Sequence, residues 1–225
     1  MATKHSFGKQ ILRQDDGLSV VGDVPFLISN LQSFVAINSD NAFDAAGKEG
    51  ARQIQIIGID KTFNRITENI FLKGVEQVVS KKEYIFIEAV EVIQVGSLFG
   101  NQGTIRISSV EGLLGKVNPN RNRMLSSAIV VPEGRVGELH SWFARINQNE
   151  GVASATYTLC NLTLKNGVSR PLDEITLLPG ANNDFHRNYN QAIIINRPSI
   201  LYVTATTDSE GVEVSTGLEV SLQSN

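Results

Sequence analysis

Short runs of β-branched and apolar residues recur along the whole chain between Gly, Asn, Asp and Pro, and helical periodicity is hard to find. The pattern predicts strands at Gln53–Ile57, Glu83–Val95 and Thr104–Ser108 in the first half. In the second half it predicts Ser127–Val131, Ser141–Asn147, Ser154–Lys165, Ala192–Ile195, Ile200–Thr206 and Gly217–Leu222. Alternation assigns faces: Ile105 and Ile107 oppose Arg106, and Leu218, Val220 and Leu222 share one side. Turn chemistry agrees at Asp16-Gly17, Glu133-Gly134, Asn166-Gly167 and Glu210-Gly211, because Gly supplies the positive φ that tight hairpins need. Asn166-Gly167 is the strongest of these signals.

Two stretches break the pattern. Between Ser108 and Leu125, Gly, Pro and several Asn interrupt any regular period, which places a domain boundary or crossing loop there. The segment up to about Val24 is polar and weakly patterned, as in an extended arm that packs on a neighbouring subunit or a frayed terminus. The expected fold is therefore all-β with little or no helix: two β-sandwich, jelly-roll-like modules in tandem. Residues 1–110 hold the arm and first module, and 111–225 the second.

Composition narrows the function classes. The 225 residues are 41% hydrophobic and 19% charged, enough to bury a core. With 20 Lys+Arg against 23 Asp+Glu the net charge is −3, so neither specific nucleic-acid binding nor membrane attachment is expected. No apolar run approaches a membrane span or a signal peptide, and the chain is expected to be soluble. The single Cys160 lies in a predicted strand, where a thiol is a small core or face residue.

Catalytic motifs are not evident. There is no Gly-x-Ser-x-Gly elbow and no phosphate-cradling loop, and His5, His140 and His186 are scattered. One Cys and three dispersed His do not build a zinc site. Asp40, Asn41, Asp44 and Glu49 cluster in one loop, and Asp208, Glu210 and Glu213 in another. Neither has calcium-loop spacing, so both read as solvated turns. No cofactor and no metal is implied. The loop Asn118–Arg123 carries only Arg121 and Arg123 and no aromatic, which suits a subunit contact better than nucleic acid. Trp142-Phe143 and Phe185 to Tyr189 suggest a sugar-stacking platform; the plainer reading puts Trp142 in the core and Phe143 at an interface.

The stretch Val35–Gly74 resembles a family of structural proteins of marine tailed phages, those of cyanophages and of phages of related marine bacteria. The matching text is Ile37-Asn-Ser-Asp-Asn-Ala-Phe-Asp-Ala-Ala-Gly-Lys-Glu-Gly-Ala-Arg52 and Ile57-Gly-Ile-Asp-Lys-Thr-Phe-Asn-Arg-Ile-Thr-Glu-Asn-Ile-Phe-Leu-Lys-Gly74, with a later Gly103-Thr-Ile105. Asp60–Asn64 would be a hairpin turn, and Gly74 would permit the next reversal. The charged Val75–Lys82 departs from the Thr-rich segment typical of the family.

The resemblance implies a non-enzymatic virion component, made in the host cytoplasm, whose partners are phage capsid or tail proteins and which forms a homo-oligomer. A capsid decoration or head-fibre role is expected. The alternative is a tail-associated or host-attachment protein with a carbohydrate-binding β-sandwich. Arg121, Arg123, Phe143, Phe185 and Tyr189 are the candidate contact residues.

Overall fold

A computed structural model describes residues 2–12, 19–22, 28–29, 31–147, 153–178, 183–209 and 211–224; the expected turn at Asp16-Gly17 and Glu210 lie outside them. Among these residues there are sixteen strands and no helix, hence none long and apolar enough to cross a membrane. In chain order, β1 (Ala2–Leu12) and β2 (Ser19–Val20) come first. They are followed by β3 (Ser33–Ser39), β4 (Ala51–Ile59), β5 (Arg65–Phe71), β6 (Val78–Tyr84), β7 (Phe86–Val95), β8 (Ile105–Ser109) and β9 (Gly112–Val117). The chain ends with β10 (Ile129–Val131), β11 (Arg135–Ile146), β12 (Ala155–Thr163), β13 (Val168–Leu177), β14 (Asp184–Ile195), β15 (Ser199–Thr207) and β16 (Val212–Ser224).

The chain divides into two compact units, but not at residue 110 and not in tandem. One unit is Met1–Gly22 with Ser126–Asn225, and the other, Asp23–Leu125, interrupts it in sequence. The interruption is local in space: Gly22 and Ser126 form an isolated bridge, and the Ser127 N–H donates to the Val21 carbonyl at 3.0 Å. A module can enter between paired residues because its two attachment points already lie together.

The interrupted unit has one sheet in the order β1-β16-β11-β14 and a second in the order β10-β15-β12-β13, with β2 beside β15. Taking β1 as first and β10 to β16 as second to eighth, the orders are 1-8-3-6 and 2-7-4-5. That is the double Greek key of a jelly roll. Its core is formed by Leu139, Trp142, Tyr157, Leu159, Leu201, Val203, Leu218 and Val220.

Residues 2–12 are no loose arm. They pair with β16 from Ala2↔Leu222 to Leu12↔Val212, so the first strand of the fold is closed by the last. Polar alternation hid it: a sheet-edge strand with one solvated face carries few apolar residues.

The inserted unit packs the sheet β6-β3-β8-β9 and the sheet β5-β4-β7 around Val35, Ile37, Ile54, Ile56, Ile87, Val90, Ile105 and Ile107. The expected single strand Glu83–Val95 is a corner. β6 belongs to one sheet and β7 to the other, and the consecutive residues Tyr84, Ile85, Phe86 and Ile87 are all buried where the chain crosses. β9, which falls inside the segment read as a boundary, forms a hairpin with β8.

The expected hairpins are present at Asp60–Asn64 and Asn166-Gly167. Asp60 Oδ1 accepts from the Thr62 and Asn64 N–H groups at 2.8 and 3.0 Å, and Gly167 has φ 65°.

Candidate functional site

The loop between β3 and β4 folds around one side chain. Asp44 is fully buried, and its carboxylate accepts four hydrogen bonds: from Ala51 N–H (2.9 Å) and Gln102 N–H (2.8 Å) on Oδ1, and from Ser39 Oγ (2.7 Å) and Gly103 N–H (2.8 Å) on Oδ2. Asp44 is therefore not part of a solvated acidic turn; it is the node that ties the Ser39–Ala51 loop to the Gly103 element. Asp40 at the rim accepts from Thr104 N–H at 2.7 Å and pairs with Arg106 at 3.1 Å. Among the described residues no three metal-ligating side chains converge.

Directly before Gln102 stands a second node. Asn101 is fully buried, and its Nδ2 donates to the carbonyls of Gly103 (2.7 Å) and Asn118 (2.8 Å) while Oδ1 accepts from Asn122 N–H (3.0 Å). Asn122 replies in kind, its Oδ1 accepting from Asn101 N–H at 3.1 Å and its Nδ2 donating to the Phe99 carbonyl at 3.2 Å. Asn120 N–H adds a bond to the Asn101 carbonyl at 2.8 Å. The loops around 96–101 and 118–123 are thereby locked to one another through reciprocal asparagines.

This clasp holds strain and displays it. Of the four non-glycine residues with positive φ among those described, three lie here: Phe99 (58°), Asn120 (60°) and Asn122 (57°). Asparagine tolerates that region, whereas a bulky residue there is an outlier, costing of order 1–3 kcal/mol and persisting only where surrounding contacts enforce it. Phe99 has no packing gain to offset the cost, because 82% of its surface is exposed; Leu98 beside it is 47% exposed. Arg121 and Arg123 are exposed on the partner loop. A hydrogen-bonded pair of loops bearing an exposed aromatic ring and arginines has the composition of an interface hot spot.

Sequence reasoning selected Arg121 and Arg123 but missed Phe99. A signal was present: the apolar pair Leu98-Phe99 sits in a loop between Gly96 and Gly100, where nothing requires apolar side chains.

The other expected contact residues lie in the jelly roll and are drawn into it to different degrees. Trp142 is buried and donates from Nε1 to Asp173 Oδ2 at 2.9 Å. Phe185 meets the Trp142 ring edge-on at 5.2 Å, and the Arg187 guanidinium lies 5.2 Å over the Phe185 ring while pairing with Asp173 at 2.8 Å. The Tyr189 hydroxyl donates to the same Asp173 oxygen at 3.2 Å, and burial together with that carboxylate raises its pKa to about 12. Phe185 and Tyr189 thus share one carboxylate-centred cluster with Trp142. Phe143 stands apart on the outer side of β11, stacked on Phe7 with centroids 6.3 Å apart.

His140 occupies the bulge in β11 and bonds Ser221 Oγ at 2.8 Å. Cys160 is buried, and burial raises its thiol pKa, which leaves it a structural residue.

No family model matches the chain, and no curated protein does. Among solved structures, the T13 particle of infectious bursal disease virus aligns over 97% of this chain and 69% of its own length, at 8% identity and a TM-score of 0.27. The VP2 subviral particle of the same virus aligns over 98% of this chain and 71% of its own, at 9% identity and a TM-score of 0.28. At such scores the likeness is too weak to equate one fold with the other.

Proposed function

We propose that this chain is a non-enzymatic structural component of a tailed-phage particle, acting by contact through the Phe99 tip of its inserted unit. The observation that carries the reading is a strained, solvent-facing phenylalanine held in place by two buried or half-buried asparagines. Folding alone gives no reason to keep it, whereas a partner that takes the ring from water does. The resemblance of Val35–Gly74 to phage structural proteins supports the same reading, and those residues supply the foundation of the tip: Ser39, Asp44 and Gly103 fix the segment from which Asn101 organises both loops.

Within that reading the chain is a capsid decoration or head-fibre component, present as a homo-oligomer or in repeated copies. Its affinity for the particle is the sum of many modest contacts. Phe99→Glu tests the proposal during assembly of particles from a complete phage genome. Expected is a wild-type chain that co-purifies with particles and a variant that folds with an unchanged melting temperature but falls at least tenfold in particle content. A wild-type chain absent from purified particles, or a variant retained in full, contradicts it.

A further inference from the structure

The outer face of the sheet β1-β16-β11-β14 carries a second feature, independent of the Phe99 tip. Register places Phe7, Gly217, Phe143 and His186 in one row across the four strands. Gly217 is the reason the two rings meet. A Cβ at that position would lie 2.5 Å from the Ser6 carbonyl oxygen and 2.6 Å from Phe143 Cε1, so glycine there leaves room both for the neighbouring strand and for the Phe143 ring across β16. It reaches Phe7 at an interplanar angle of 29°, and Phe7 is 39% exposed. The result is a flat aromatic floor on a sheet face that is otherwise mostly polar, with Ile11 and Ile194 its other exposed apolar residues.

Hydrogen-bonding rows border the floor on both sides. On one side the register gives Lys9, Ser215, Arg145 and Asp184, and beyond them Glu213 with the exposed Ile11 beside it; on the other it gives His5, Glu219, Ser141 and Asn188. An open, shallow cleft of about 510 Å³ lies over the rings and the first of these sides, walled by Lys9, Arg145, Asn147 and Glu213. Lys9 pairs with Glu213 at 2.8 Å, so the wall offers donors and acceptors together with little net charge.

We infer that this cleft binds a neutral saccharide of one or two rings. A pyranose has an apolar C–H face matching the two phenylalanines and a rim of hydroxyls matching the mixed donors and acceptors around them. The cleft's volume falls within the roughly 300–1,000 Å³ of small-ligand sites, and its open, mixed polar lining suits a hydroxyl-rich ligand. Two rings enclosed by polar rows are too small an apolar area for the centre of a protein interface, which is larger and stripped of charge. Lys9 and Arg145 face three carboxylates, Glu213, Glu219 and Asp184, so no cationic excess is present to hold the phosphates of a nucleic-acid strand stacking its bases there.

The test is an array of neutral bacterial-surface oligosaccharides probed with the full chain, followed by saturation-transfer NMR on each retained sugar. Expected is retention of at least one oligosaccharide, with affinity falling tenfold or more in Phe143→Ala and in Arg145→Ala and persisting in Phe143→Tyr. Arg145 is exposed, so its variant reports on the cleft even if Phe143→Ala unfolds. No retained oligosaccharide, or retention indifferent to Arg145→Ala and Phe143→Ala, overturns the inference. Binding should also survive Phe99→Glu, which keeps failure of the cleft distinguishable from failure of the particle contact.

Discussion

Asp44 shows how a residue type misleads when its partners are distant in sequence. Aspartate amid Asn, Gly and Lys reads as a wet turn, yet two of its four donors come from Gln102 and Gly103, more than fifty residues away. Replacing it with alanine strands those donors in a buried site, and each unsatisfied group costs about 1–3 kcal/mol. Partial relaxation leaves an expected loss of about 3–5 kcal/mol for Asp44→Ala, measured by denaturant unfolding of the inserted unit. Phe99 runs the other way. Phe99→Gly removes the positive-φ strain at the expense of chain entropy, so stability should hold or rise by up to about 1 kcal/mol while particle content falls. A loss of stability would place Phe99 among the structural residues.

Tyr189 gives a pH signature. Its folded-state pKa of about 12 lies above the ordinary value of 10.0 because the phenol is sheltered and donates to Asp173. A raised folded pKa means that the native state holds the proton more tightly. The contribution is therefore full below pH 10 and is lost as pH rises towards 12. Tyr189→Phe should flatten that part of the alkaline decline in melting temperature; an unchanged slope would assign the decline to other groups.

At the scale of elements, alternation and turn chemistry made most of the second half legible, from the Asn166-Gly167 hairpin to the shared face of Leu218, Val220 and Leu222. Beside β3, β13 and most of β14, which were not expected as strands, three features were hidden for identifiable physical reasons. β1 is an edge strand whose pairing with β16 is non-local, β9 is interrupted by Gly115, and the run Glu83–Val95 is apolar without alternating because its middle turns from one sheet to the next. Of the candidate site, Arg121 and Arg123 were visible as a cationic loop, but Phe99 and Phe7 acquire meaning only from backbone geometry and register. Deleting residues 2–12 strips β16 of one of its two partner strands, along eleven paired positions. Calorimetry should then show the jelly-roll transition lost or aggregating, with the inserted unit still unfolding cooperatively; an intact jelly-roll transition would mean that the first strand is dispensable.

The whole molecule is one jelly roll interrupted by a second β-unit with its own core, and the interruption enters and leaves at paired residues. Joining Gly22 to Ser126 through a short Gly linker should therefore yield a folded jelly roll, and residues 23–125 alone should fold as well. The circular dichroism spectra of the two pieces should sum to that of the full chain. If either piece is unfolded, the units are not independent domains. The division also separates the two proposed contact surfaces in sequence, Phe99 on the inserted unit and the aromatic cleft on the jelly roll.

Cryo-electron microscopy of intact particles tests the central claim most directly, through density at the position of a small tag fused to the chain. Tag density should repeat at symmetry-related positions on the particle, with the Phe99 loop facing a neighbouring protein. Particles that carry no such density, or that carry it with Phe99 directed into solvent, would contradict it.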